Sequence, residues 1–255
     1  MLEAYFDESY SHRTNERPSE PLVGTVACWL STVELWKKFG KRWRRALREF
    51  EIDNFHMKDY EARQGSYRTW SNEERIHRLK QMHRIMREQT IYGCSMSINL
   101  EDYENKILSV PEFARWFGRS WYAYGVRGCI KKLAVWCDQS SYGVSNSIAY
   151  VFGEGPKQGS ELDRLFKEML KVPDERRRYR ISGPWIKGTM KETVQLQAAD
   201  IIAYELNKRS VNSISGGKQF VRKSLDNLHL SVNFSAEYFD QDSFMHQINN
   251  AYGRS

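Results

Sequence analysis

The run Leu22-Val-Gly-Thr-Val-Ala-Cys-Trp-Leu30 carries no charge and is rich in strand-favouring residues, and it constrains the fold more than any other stretch. A strand with no polar side has to be buried, so this one reads as an interior member of a sheet. Its neighbour is close in sequence: Leu2, Ala4 and Phe6 alternate with Glu3, Tyr5 and Asp7 at the period of a strand, with Asp7 at the C-terminal end. The polar, Pro-containing segment Ser11 to Pro21 reads as the loop between them.

Helical signals follow. Thr32 has the character of an N-cap, and Leu35, Trp36, Phe39, Trp43, Ala46, Leu47 and Phe50 recur at helical spacing. Ser71 to Glu74 opens a second helix carrying Ile76, Leu79, Met82, Ile85 and Met86. Thr90 to Ile98 is strand-like, Pro111 to about Cys137 reads as one long helix packed through Gly118, Gly125 and Gly128, and Ser147 to Phe152 is a further strand. Glu161 to about Leu170 is helical, and Tyr179 to Ile186 suits an edge strand because of Pro184. Thr189 with Glu192 forms a capping-box pattern, which predicts a helix from there to about Lys208. Ser210 to Gly217 reads as a connector. The whole chain, 1–255, is expected to be one domain, with 209–255 a C-terminal extension packed on it.

Hydrophobic residues make up 40% of the chain and aromatics 13%, enough for a sizeable core. The start Met1-Leu2-Glu3-Ala4-Tyr5 lacks the pattern of a secretory signal and no stretch reaches membrane-spanning length, so a cytoplasmic protein without membrane association is expected. Cys28, Cys94, Cys129 and Cys137 show no Cys-x-x-Cys spacing and read as core or half-buried thiols. Lys and Arg outnumber Asp and Glu by 39 − 32 = 7, and the excess is clustered. Lys41, Arg44, Arg45 and Arg48 crowd one helix and Arg176, Arg177 and Arg178 a second segment; these are the candidate contacts to nucleic acid, with plain solvated surface as the alternative.

Acidic groups stand where apolar ones are expected. On the late helix Leu196, Ala199, Ala203 and Leu206 form the apolar stripe, while Gln197, Asp200 and Tyr204 share an adjoining face. Asp200, between alanines and isoleucines, is costly unless it is paired or bound to a cation; the alternative is that it caps a nearby backbone or pairs with one of the many arginines. Asp7 and Glu8 end the first strand, and Glu154 ends another between two glycines. Convergence of these carboxylates predicts a metal site with Asp7, Glu154 and Asp200 as ligands and Glu8 beside them. Oxygen ligands with no His-x-x-x-His or Cys pair favour Mg2+ or Mn2+. Two such ions about 3.5 to 4 Å apart would suit phosphodiester hydrolysis. His56, in Phe-His-Met-Lys-Asp, reads either as a proton donor to a leaving oxygen or as a hydrogen-bonded loop residue.

Tyr5 to Ser9, Phe55 to Asp59, Ile148 to Gly155 and Leu196 to Glu205, in this order, resemble the bacterial and phage family catalogued as domain of unknown function 3800, over residues 1 to 208. The resemblance implies an α/β, ribonuclease H-like fold: a mixed β-sheet flanked by α-helices, with helical insertions. It also implies acidic residues on the first strand, a middle strand and a late helix, and makes Asp7 and Asp200 the foremost ligands. In relatives the acidic residue often directly follows the Val-Phe pair, a position that Gly153 occupies here. Either Glu154 substitutes from the next position or a ligand has been lost. Two functions are therefore carried forward: a metal-dependent nuclease, and a nucleic-acid-binding or scaffold protein of the same fold whose site has decayed. A homodimer is compatible with both.

Overall fold

The computed structural model describes residues 1–13, 19–117, 119–143, 147–153, 159–215 and 233–251. Strands β1 (Leu2–Tyr10), β2 (Val23–Thr32), β3 (Tyr92–Asn99), β4 (Ile148–Gly153), β5 (Ile186–Gly188) and β6 (Phe234–Phe239) form one mixed sheet in the order β5-β4-β1-β2-β3-β6. β2 runs antiparallel to β1 and β3, and the other pairings are parallel. The uncharged β2 is buried along nearly its whole length, as its composition requires.

The described helices are α1 (Val33–Glu49), α2 (Met57–Ala62), α3 (Asn72–Gln89), α4 (Leu100–Tyr103), α5 (Pro111–Phe117), α6 (Trp121–Gln139), α7 (Gly159–Lys171), α8 (Pro173–Arg178) and α9 (Gln195–Ile214), followed by Gln241–Ala251. Strand alternation divides them into two layers. Tyr5, Ala27, Trp29 and Val151 face α1, α2, α3 and α9, whereas Leu2, Phe6, Val26, Cys28 and Phe152 face α6 and α7. The protein is thus an α/β structure with a mixed sheet flanked by helices on both sides.

Local chemistry sets several boundaries. The Thr32 hydroxyl accepts the Leu35 amide at 3.2 Å to start α1, and Ser71 and Glu74 exchange both bonds of a capping box at α3. Elsewhere the sequence signals misplace the ends. The long helix expected over 111–137 is two helices, and Ser120 caps the second of them. Gly118 lies outside the described residues. Gly128 allows α6 to approach the sheet, since a Cβ there would collide with the Met96 side chain. The edge strand expected over Tyr179 to Ile186 is instead the short β5, Ile186–Gly188, preceded by one isolated bridge between Ile181 and Ile148. Thr189 does accept the Glu192 amide at 3.2 Å, but this pair closes a turn and the helix begins at Gln195. That helix runs on to Ile214, through most of the stretch expected to be a connector.

Candidate functional site

The site lies where α9 crosses β1 and β2. Asp7 pairs with Ala27 in the sheet register and shares the α9-facing side with Tyr5 and Ala27. Asp200 sits on the buried side of α9 and is 5% exposed. The two carboxylates therefore occupy the same side of the sheet, and the Asp200 charge acts on Asp7. Burial first, then the Asp200 charge and then that of Glu8, push the Asp7 carboxyl well above the usual carboxylate range; a backbone hydrogen bond from Glu8 opposes them. Asp7 is half-buried, so its recess keeps an open side.

Burial likewise raises Asp200, to about 6, against the lowering effects of His56 and of the Met57 amide; Asp59 adds to the rise. Among the described residues neither carboxylate pairs with a Lys or Arg. Met57 donates its backbone N–H to Asp200 Oδ2 at 2.6 Å, and His56 Nε2 stands 3.7 Å from Asp200 Oδ1. His56 Nδ1 meets Asp59 Oδ2 at 3.0 Å, so the imidazole is held between two carboxylates.

Gln197, one turn before Asp200, explains how this segment is held. Its Oε1 accepts the Phe55 amide at 2.9 Å and the Trp43 indole N–H at 2.7 Å, while its Nε2 donates to the Met190 carbonyl at 2.7 Å. Gln197 and Asp200 together dock the Phe55-His56-Met57 segment onto α9, which is why Gln and Asp stand three positions apart on one helix face. Further along α9, the Asn207 amide donates to the Val23 carbonyl at 2.8 Å and to the Ser9 carbonyl at 3.3 Å, fixing α9 to the end of the β1–β2 pair. The pattern flagged Gln197 as polar on a buried face, but its partners lie far away in the chain. Asn207 carried no local signal.

The remaining sequence candidates are dispersed. Glu8 pairs with Val26 on the α6-facing side of β1, where its charge raises the buried Tyr122 hydroxyl, so it does not share the side of Asp200. Glu154 lies outside the described residues. Gly153 continues the β1–β4 register beside Asp7, and a Cβ built there would sit 3.5 Å from Asp7 Oδ1, an ordinary van der Waals distance. Lys41, Arg44, Arg45 and Arg48 are exposed on α1, in the same layer as Asp7 and Asp200, with Arg45 bound to Glu49 at 2.9 Å. Arg176, Arg177 and Arg178 are exposed on α8, which meets α6 through the Arg127–Glu175 pair and belongs to the opposite layer. The two basic clusters therefore do not form one track.

Among the described residues only Cys28, Cys94 and Cys129 bring three metal-ligating atoms within 4.8 Å of one another. The carboxylate site offers two candidate ligands on one side of the sheet, coupled electrostatically. Mg2+ commonly takes one or two carboxylates and fills its shell with water and substrate phosphate, so Asp7 and Asp200 suit such an ion. A polar cleft of about 360 Å³ lined by Asn54, Asp59, Gln64 and Tyr67 opens next to His56. A larger cavity, about 680 Å³ among Tyr124, Arg127, Lys131, Trp136 and Glu237, is lined by α6 and β6 and touches neither carboxylate. No helix among the described residues is long and apolar enough to cross a membrane. No family model matches the chain, and neither does any curated protein.

Proposed function

We propose that this chain is a ribonuclease H-like, metal-dependent nuclease that hydrolyses phosphodiester bonds of DNA or RNA. One observation carries the reading: Asp7 and Asp200, from opposite ends of the chain, share one side of the sheet, burial raises both, the Asp200 charge raises Asp7 further, and among the described residues neither pairs with a Lys or Arg. Like charges that share a recess are costly, and a divalent cation relieves them. The mixed sheet, with acidic residues on its first strand and on a late helix, supports the fold named by the resemblance to domain of unknown function 3800.

Asp7 and Asp200 Oδ1 would hold Mg2+ or Mn2+, which when bound lowers the pKa of coordinated water and polarises a phosphoryl oxygen. The Met57 amide fixes Asp200, and Asp59 orients the His56 imidazole so that Nε2 can give a proton to a departing oxygen. The exposed arginines of α1 provide a polyanion-attracting surface in the same layer.

Labelled single- and double-stranded DNA and RNA, incubated with the pure chain in Mg2+, Mn2+ or EDTA, test the reading. Cleavage that needs metal and falls at least about a hundredfold in Asp7→Asn and Asp200→Asn is expected, since even outer-shell metal contacts cost 10- to 100-fold. Absence of cleavage on every substrate, with salt-sensitive binding that those variants leave unchanged, would favour the second reading. In that reading Gly153 marks a decayed site, and the protein binds nucleic acid or serves as a scaffold without cutting.

A further inference from the structure

On the opposite side of the sheet β2, β3 and α6 each deliver one cysteine to a single point in the core. Cys28 and Cys94 are register partners in the β2–β3 pair, with their sulfurs 3.3 Å apart. Cys129, from α6, completes a group whose three sulfurs all lie within 4.8 Å of one another. All three are fully buried and none forms a disulfide.

The geometry points to a three-sulfur site for a soft, low-coordinate cation, Cu+, built from Cys28, Cys94 and Cys129. Three sulfurs about 2.3 Å from a central ion in a plane stand about 4 Å apart, within the 4.8 Å limit that holds for all three, with the Cys28–Cys94 pair having to part from 3.3 Å. The donor set selects the ion. Thiolates favour Cu+, whereas a structural zinc site takes four ligands. Among the described residues no further His, Cys, Asp or Glu joins the group, and all three cysteines are fully buried.

Charge is also arranged for a cation. Burial raises Cys129, and the neighbouring Cys28 and Cys94 sulfurs and then the Lys132 ammonium act to lower it. Burial pushes Cys28 and Cys94 upward. Each thiol that ligates releases one proton as its sulfur binds the ion. No electron is transferred. The site is independent of the nuclease reading, because no residue is shared between them.

A sealed site loads as the core forms, so the full chain is expressed in copper-supplemented medium and purified without oxygen. The expected result is about one copper per chain, with an absorption-edge spectrum of three sulfur neighbours at about 2.2–2.3 Å. Cys129→Ala is expected to lose the copper, while Cys137→Ala, which removes a buried thiol outside the group, keeps it. Copper no higher in wild type than in Cys129→Ala overturns the proposal. So does an edge spectrum dominated by nitrogen or oxygen, or a zinc ion held in preference to copper. If Cys129→Ala fails to fold, the wild-type content and spectrum decide alone.

Discussion

The two sides of this sheet bring polar chemistry into the interior in contrasting ways. On the α9 side two hard carboxylates stand in a recess with one open edge, burial raises both, and the Asp200 charge raises Asp7 further. On the α6 side three soft thiols are sealed within the core. The acidic side depends on a docked segment, Phe55 to Met57, held by Gln197 and Asp200, whereas the thiol side is built only from regular strands and a helix. A site assembled from a clipped segment can be dismantled by releasing it. One built from the sheet itself survives until the fold is lost.

Gln197→Ala makes the sharpest test of that contrast. It strands the Trp43 indole and the Phe55 amide inside the core, at an expected cost of about 2–4 kcal/mol in urea unfolding. It is also expected to weaken metal uptake at Asp200 while leaving the accessibility of Cys28, Cys94 and Cys129 to thiol reagents in the folded state unchanged. An effect of equal size on the thiols would break the comparison.

Next in size is the pH dependence. Asp200 is raised to about 6 from 3.8, so below about pH 4 both folded and unfolded chains hold its proton and no penalty exists. As pH rises from there to about 6 the unfolded chain loses the proton first, and stability falls. In metal-free buffer Asp200→Asn, which keeps an acceptor for the Met57 amide, is expected to remove this loss and to be more stable at pH 7 by about 1–3 kcal/mol. Parallel stability–pH curves for variant and wild type would contradict it.

Much of this architecture is legible in the sequence, and the limits are physical. The uncharged β2, the alternating β1 and the capping box of α3 are local signals, and local signals place their own elements. The break before Ser120 falls between two aromatic-rich stretches that share helical character, and β5 is three residues long, too short to show a period. Asp7 and Asp200 were visible as charges in apolar settings. The roles of Gln197 and of the cysteine group were not, because their partners are separated by tens to more than a hundred residues. The sequence also treats Asp7 and Glu8 as a pair, whereas strand alternation sends them to opposite sides.

The smallest expected effect concerns Gly153, where a side chain fits at van der Waals distance from Asp7. Gly153→Asp is expected to tighten Mn2+ binding about tenfold by adding a carboxylate to an under-filled oxygen site. Unchanged or weaker binding would show that position 153 does not face the ion.

The central claim, that Asp7 and Asp200 form one cation site, is tested most directly by titrating Mn2+ into the metal-free chain and following the free-ion signal by electron paramagnetic resonance. Saturable uptake by wild type and by Cys129→Ala, lost in both Asp7→Asn and Asp200→Asn, is the predicted result. Uptake that either Asp variant leaves intact, or none in wild type with nucleic acid present, would contradict it.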